Sequence, residues 1–247
     1  MSICELLDIT CGSVLAVVGC GGKTSIIRLI ADKNTDRKVL ISPTTKILPM
    51  TDDDADDGVI SRGTVCQCEA HIPQTGLQCL GVYNDETGKL EALPGHILAK
   101  LVPRYDVSLL EADGSQGLPC KGWRCYEPVV PEYCTHTVGI VTMRALGAKV
   151  SGATVHRIPE FSSLTGLHEG DFIDMQALVI MVCSPQGMFK NSVGRRYLIV
   201  NQVEDDPSAD AARAFLREVR NKDEKHFDSY FEKLLYGSVF TDTWQEG

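Results

Sequence analysis

One stretch near the start of the chain constrains the fold more than any other. Residues 14–18 form an apolar run that predicts a buried strand, and glycines and an amphipathic helix beginning at Lys23 follow it. A strand that leads through glycines into a helix N-terminus points several backbone N–H groups at one spot, where the helix dipole also favours negative charge. The stretch therefore predicts an anion-binding turn in an α/β protein.

The residues of this turn suit the phosphates of a nucleotide. From Gly19 the sequence reads G-C-G-G-K-T, a compact phosphate-binding loop in which Val17 stands where the longer pattern has its first glycine. The lysine would reach the outer phosphates, and the threonine hydroxyl would bind Mg²⁺. The alternative is a glycine-rich turn that only packs a helix against a sheet. The residues predicted here to bind the nucleotide are Gly19, Gly21, Gly22, Lys23, Thr24 and Ser25.

The loop is similar to the short loop of ligases that add amino acids to cell-wall precursors, and that resemblance is local. Cys20, inside the loop, is either a small residue that the turn tolerates or a reactive thiol, and we favour the first. The other cysteines show no Cys-x-x-Cys pair, and the spacing of Cys66, Cys68 and Cys79 fits no common zinc pattern.

Length, composition and charge limit the number of domains and the classes of binding partner. The 247 residues, 43% of them hydrophobic, can form one large α/β domain or two small ones, and without repeats or a low-complexity linker we expect a single domain over 1–247. A formal charge of −9 argues against a broad nucleic-acid surface. With no signal-peptide pattern and no apolar run of about 18 residues, we expect a cytoplasmic protein that does not bind membranes.

A second motif follows the first βαβ unit. Residues 38–41 predict a buried parallel strand, and its exit lies at the same carboxyl edge as the glycine turn, where open α/β sheets bind ligands. We expect Thr44, Thr45 and Lys46 to meet the terminal phosphate or its magnesium. An ordinary threonine-rich loop is the alternative.

The next part of the chain carries little predicted chemistry. The acidic stretch 51–58 is expected to be a solvated loop. Short, scattered apolar runs over about 59–95 predict a small β-rich insertion with a hairpin turn at 83–88. A short helix over 96–102 is expected to stop at Pro103.

A third motif places two acids at a strand end. Residues 107–110 predict a strand that delivers Glu111 and Asp113 at its carboxyl end. In a phosphate-binding sheet, one acid can hold Mg²⁺ and the other can act as base or orient a water. We assign the metal to Thr24 and Asp113, and the orientation of the attacking group to Glu111. The alternative is that the acids only cap the next turn.

Two further features complete this predicted site. Lys23 would neutralise developing charge, so the predicted catalytic residues are Lys23, Glu111 and Asp113. Residues 114–117 are expected to form a loop that senses the terminal phosphate, with Lys121 as a cation nearby. His156 is either a satisfied polar residue or a functional one.

A fourth motif concerns the nucleotide base. A predicted strand over 197–200 runs into Asn201, in the manner of the Asn-Lys-x-Asp loop that reads guanine, with Glu204 in place of the aspartate. We assign Asn201 and Glu204 to nucleotide binding and leave ATP or GTP open. Ser208 is predicted to cap the next helix, and a last helix over 227–235 is expected before residues 237–240 close the sheet.

Several segments together, in the same order, resemble the YqeC family of proposed accessory proteins of selenium-dependent hydroxylases. The resemblance implies a P-loop NTPase-like, three-layer α/β fold and a role in maturing a selenium-dependent molybdenum hydroxylase. This sequence departs from the family pattern at Cys20, at Pro43 and at 122–125. The segments that carry the resemblance are 19–24, 42–46, 110–115, Lys121, 127–131, 155–157 and 198–201.

Two functions fit these motifs. The first is a Mg²⁺-dependent nucleoside triphosphatase or phosphotransferase. The second is a nucleotide-gated chaperone or carrier with little intrinsic catalysis, suggested by Trp123 and Tyr126, which we expect to be exposed near the sensing loop.

Overall fold

The computed structural model describes residues 1–47, 74–84, 86, 89–223 and 230–247, and for residues 46, 47, 83 and 223 it describes the backbone alone. The acidic stretch 51–58, Cys66 and Cys68 lie outside these ranges. Among the helices that the structure describes, none combines the length and the apolar character needed to cross a bilayer.

The fold is α/β, with a mostly parallel sheet of eight strands at its centre. The order across this sheet is β13-β12-β11-β9-β1-β7-β2-β4, and only the edge strand β13 runs antiparallel to its neighbour. The eight strands are β1 (Ser13–Gly19), β2 (Lys38–Pro43), β4 (Gly76–Cys79), β7 (Val107–Glu111), β9 (His136–Thr142), β11 (Arg195–Asn201), β12 (Lys233–Ser238) and β13 (Thr243–Glu246).

Two small sheets accompany the central one. The first joins β3 (Lys46–Ile47), β6 (Lys89–Glu91) and β5 (Val82–Asn84), and the second pairs β8 (Cys120–Lys121) with β10 (Val155–His156). The α-helices are α1 (Ile3–Leu6), α2 (Lys23–Asp32), α3 (Gly95–Leu101), α4 (Ile158–Thr165), α5 (Met175–Cys183) and α6 (Asp206–Asp223), with short 3₁₀ helices at Val102–Arg104 and Met143–Ala145.

The central strands are apolar on both faces because helices cover both. Along β1, Val14, Ala16 and Val18 face a cluster that includes residues of α3, α4, α5 and α6. Leu15 and Val17 face the opposite cluster, which contains residues of α1 and α2. A parallel strand buried in this way has a continuous hydrophobic sequence, which is why the sequence predicts β1, β2, β7 and β11.

The predicted β-rich insertion is confirmed in part. Strands β5 and β6 form the antiparallel hairpin expected around residues 83–88. Residues 76–79, however, belong to the central sheet, where β4 pairs in parallel with β2. A four-residue edge strand has no periodicity long enough to show which sheet it joins. Pro103 does not end the helical segment abruptly, because a 3₁₀ turn continues from Val102 to Arg104.

Two predictions in the last third of the chain were wrong. Helix α6 begins at Asp206, and the carboxylate of Asp205 accepts the Ser208 N–H at 2.8 Å, so Asp205 rather than Ser208 caps it. Residues 233–235, the end of the predicted last helix, instead begin strand β12, whereas residues 237 and 238 belong to the sheet as predicted, and residues 227–229 lie outside the described ranges. Leu235 faces one core and Leu234 the other, so the apolar run is a strand buried on both faces.

Candidate functional site

The predicted site residues meet at one edge of the sheet. Because β1, β2, β7, β9 and β11 are parallel, their carboxyl ends lie on the same side. The register pairs Glu111 of β7 with Val17 on one side and with Pro43 on the other. On the other side of β1, Asn201 at the end of β11 pairs with Thr142 at the end of the neighbouring β9. The chain segments that follow these strands therefore surround the glycine turn.

The glycine turn has a backbone that side chains would not permit. Gly19 and Gly22 have φ angles of 97° and 106°, in the left-handed region. A Cβ at Gly19 would lie 2.3 Å from the Ile140 carbonyl oxygen, and one at Gly22 would lie 2.7 Å from the Asn201 amide nitrogen. Gly22 occupies the cap position of α2 and supplies no side-chain hydrogen bond to it. The first N–H groups of α2 are thus left for another acceptor.

Lys23 is buried at the centre of the site. Its Nζ donates to the Gly19 carbonyl at 2.7 Å and lies 3.3 Å from a carboxylate oxygen of Asp113 and 3.8 Å from one of Glu111. Burial alone would lower the pKa of Lys23, but the two carboxylates outweigh it and raise that pKa. The lysine is therefore a fixed positive charge at the N-terminus of α2.

Thr24 and Glu111 form the second contact. The Thr24 hydroxyl donates to a carboxylate oxygen of Glu111 at 3.1 Å. Burial raises the pKa of Glu111, although Lys23 and the Thr24 hydroxyl act in the opposite direction. A hydroxyl beside a carboxylate is a suitable pair of oxygen ligands for Mg²⁺, which is usually bound by one or two carboxylates together with substrate phosphates and water.

Asp113 lies deeper and its oxygens are already occupied. They accept the Gly19 N–H at 3.0 and 3.1 Å and the indole N–H of Trp123 at 2.7 Å. The ammonium groups of Lys23 and Lys121 each lie 3.3 Å away. Burial opposes its ionisation, but these cations and donors hold the pKa of Asp113 below its usual range. The structure thus places Glu111 beside Thr24 and uses Asp113 to hold the loop and the two lysines.

The residues after β2 lie beside the same acid. The Thr44 N–H donates to the Glu111 carbonyl at 3.0 Å, and its hydroxyl donates to the Val129 carbonyl at 2.7 Å. The Thr45 hydroxyl is buried and makes no hydrogen bond with the described part of the chain. Lys46 begins β3, where its backbone pairs with Glu91. Thr44 therefore lies beside Glu111, whereas the structure describes only the backbone of Lys46.

Asn201, at the end of β11, holds the glycine turn through its side-chain amide. Its amide nitrogen donates to the Gly21 carbonyl at 2.7 Å, and its amide oxygen accepts the Val239 N–H at 3.2 Å. Glu204 is exposed, accepts the Ser238 hydroxyl at 3.1 Å and lies 3.7 Å from Arg144. Ser25 lies on the exposed side of the first turn of α2. The assignment of these residues to a nucleotide stays a prediction.

Sequence reasoning missed part of the site. We expected Trp123 to be exposed, but it is 6% exposed because its indole donates to Asp113. Tyr126 is exposed as expected. Glu127 is buried and contacts both Lys121 and the guanidinium of Arg157. The sequence contains one relevant signal, because a buried indole N–H such as that of Trp123 and a buried carboxylate such as that of Asp113 each need a hydrogen-bond partner. Which groups pair, however, depends on tertiary contacts.

Two ambiguous residues are clarified by their surroundings. Cys20 is buried, and burial raises the pKa of its thiol to about 12, which favours the interpretation as a small packed residue. His156 is half-buried in β10, and burial lowers the pKa of its imidazole. Its carbonyl accepts the Gly122 N–H, so its backbone has a structural role.

Comparison with known proteins shows the family of this chain. The family model described as "YqeC protein" matches residues 15–159, more than half of the chain. The chain is also 32% identical over 224 residues to the uncharacterized protein YqeC of Escherichia coli K12, and the match covers 85% of this chain and 84% of that protein. The matched region contains the glycine turn, both acids and the buried network around them. The chain belongs to the YqeC family.

Proposed function

We propose that this protein binds a Mg²⁺-nucleoside triphosphate, ATP or GTP, at the glycine turn between β1 and α2, in a P-loop NTPase-like fold. The observation that carries the proposal is the contact of Thr24 with Glu111 directly beside the buried ammonium of Lys23. The negative charge of a phosphate group is complementary both to the ammonium of Lys23 and to the positive N-terminal end of the helix dipole.

Each proposed role follows from a contact. The N–H groups at the start of α2 would receive phosphate oxygens, and Lys23 would leave Asp113 for the outer phosphates. Thr24 and Glu111 would hold Mg²⁺ together with the phosphates. Asp113, which the sequence suggests as a metal ligand and catalytic residue, would instead support the loop through the Gly19 N–H and the two lysines. Asn201 would keep the turn in place while Glu204 reads the base.

The most direct test is a calorimetric titration of the nucleotide-free protein with ATP and with GTP, each with and without Mg²⁺. Lys23→Ala should lower the affinity by at least about tenfold, because a hydrogen bond to a charged group contributes about 1.5–3 kcal/mol. Lys33→Ala is the matched control, since Lys33 caps the opposite end of the same helix and pairs with Asp242. Equal Mg²⁺-dependent binding by Lys23→Ala and wild type would contradict the proposal.

Two outcomes of nucleotide binding are open to experiment. The first is hydrolysis or phosphoryl transfer by the protein itself. The second is a nucleotide-gated accessory role, for which the exposed Tyr126 near the buried Trp123 offers a contact for a partner. On the family resemblance we propose that this partner is a selenium-dependent molybdenum hydroxylase undergoing maturation. Turnover that rises when the client is added would favour the accessory role, and fast turnover without it would favour the enzyme.

A further inference from the structure

A buried chain of charges leads away from the glycine turn. It consists of Asp113, Lys121, Glu127 and Arg157, and it connects the turn to β8, to β10 and to the start of α4. The side chains of Asp113 and Lys121 are fully buried, that of Glu127 is 4% exposed and that of Arg157 is 17% exposed. Burying charges is costly unless each is paired, so this arrangement needs an explanation beyond packing.

Lys121 is the centre of the chain. Its Nζ donates to the Gly114 carbonyl at 2.7 Å and lies 3.3 Å from Asp113 and 3.5 Å from Glu127. An ammonium group has three N–H donors, and three oxygens surround this one. With no exposed surface, Lys121 cannot itself bind a ligand. Its effect on the site must pass through the groups it holds.

Through the Gly114 carbonyl, Lys121 sets the direction of the Ser115 N–H. In a trans peptide the C=O and the following N–H point in opposite directions, so a carbonyl held by Lys121 turns the Ser115 N–H away from Lys121. The Ser115 hydroxyl lies 3.4 Å from the Lys23 Nζ, so this residue is beside the proposed phosphate site. Among the hydrogen bonds of the described ranges, none uses the Ser115 N–H.

Glu127 and Arg157 hold Lys121 in turn. The Glu127 oxygen that faces Lys121 also contacts the Arg157 guanidinium. Arg157 has a φ of 62° at the cap position of α4, an uncommon conformation for a residue with a side chain. Residue 157 is thus held in a strained backbone geometry at the end of the chain of charges.

We propose that Lys121 is a positioning residue that aims the Ser115 N–H at the terminal phosphate of a bound triphosphate, with Glu127 and Arg157 holding Lys121 in place. This inference rests on the proposed nucleotide site. When the phosphates attract Lys23 away from Asp113, Lys121 remains as the cation beside Asp113. Because Lys121 still holds the Gly114 carbonyl, the Ser115 N–H keeps its direction towards the terminal phosphate. A diphosphate lacks the terminal phosphate that this N–H would contact. Lys121 therefore raises the affinity for triphosphate relative to the affinity for diphosphate.

The test compares the affinities of the Mg²⁺ complexes of the β,γ-imido triphosphates of adenosine and guanosine with those of the corresponding diphosphates. Lys121→Met should reduce the preference for triphosphate by about tenfold, while diphosphate affinity stays within about threefold of wild type. Lys121→Arg, which keeps the charge, should restore part of the preference. Lys190→Met is the matched control, because Lys190 donates to the nearby Arg124 carbonyl outside the chain of charges.

A second measurement does not depend on the folding of a Lys121 variant. The chain has two tryptophans, so Trp244→Phe leaves Trp123 as the only indole. Its N–H donates to Asp113, and its ring lies 5.5 Å from the Lys121 Nζ. Triphosphate should shift Trp123 emission, with a smaller shift for diphosphate.

The outcomes separate the two proposals. Absence of binding by the wild-type protein would overturn the nucleotide site. Tight binding with an unchanged triphosphate preference in Lys121→Met, or with equal Trp123 responses to triphosphate and diphosphate, would overturn only the role of Lys121.

Discussion

Replacing Asp113 by asparagine tests the buried charges most directly. The site contains three cations, Lys23, Lys121 and Arg157, and three anions, Glu111, Asp113 and Glu127, all joined by contacts within 4 Å. Asparagine keeps the shape of the side chain but leaves one buried cation without a counter-charge. Breaking a buried pair in this way costs about 3–5 kcal/mol. For a chain of this size that corresponds to a loss of roughly 6–20 °C in Tm.

The assay is urea and thermal unfolding followed by circular dichroism, because Trp123 emission responds to the substitution itself. Asp210→Asn is the control, since Asp210 is 77% exposed and pairs with Arg213 on the surface of α6, and the unfolding midpoint of this variant should match wild type. Asp113→Asn combined with Lys121→Met removes the surplus cation and should be more stable than Asp113→Asn alone. If Asp113→Asn unfolds within about 1 kcal/mol of wild type, Asp113 does not balance the buried lysines.

Two further predictions follow from the same environment. Because the native pKa of Asp113 lies below its unfolded value of about 3.9, its contribution to stability is present above that pH and is lost as the pH falls through the native pKa. The stability difference between wild type and Asp113→Asn should therefore be constant from about pH 5 to 7 and narrow below about pH 4, and a constant difference down to pH 3 would contradict the pairing. Since burial raises the pKa of the Cys20 thiol to about 12, iodoacetamide at about pH 8 should label the exposed Cys125 well before Cys20 in the folded protein. Peptide mass mapping checks this, and equal labelling rates would show that the loop opens.

The elements predicted correctly have local signals. Strands β1, β7 and β11 are apolar runs long enough to recognise, and α2 follows glycines that indicate a turn at this position. Each of these features depends on neighbours within a few residues, so sequence is sufficient.

The elements that sequence could not predict depend on distant partners. Strand β4 is short, and only pairing with β2 shows that it belongs to the central sheet. The start of strand β12, residues 233–235, is predicted as the end of a helix because a short apolar run fits both structures. The burial of Trp123 follows from a carboxylate ten residues earlier in the chain, which the turn between them brings back to the indole.

The sequence by itself determined that this protein has a glycine turn between a buried strand and a helix, and that two acids lie at the end of a neighbouring strand. It did so because a glycine-rich loop and a strand end are local in the chain. Only the tertiary structure decided that Glu111 contacts Thr24 while Asp113 binds the turn and two lysines. The register of β1 against β7 sets which acid lies beside α2, and the burial that fixes each charge arises only when the sheet, the helices and the β8–β10 pair are packed together.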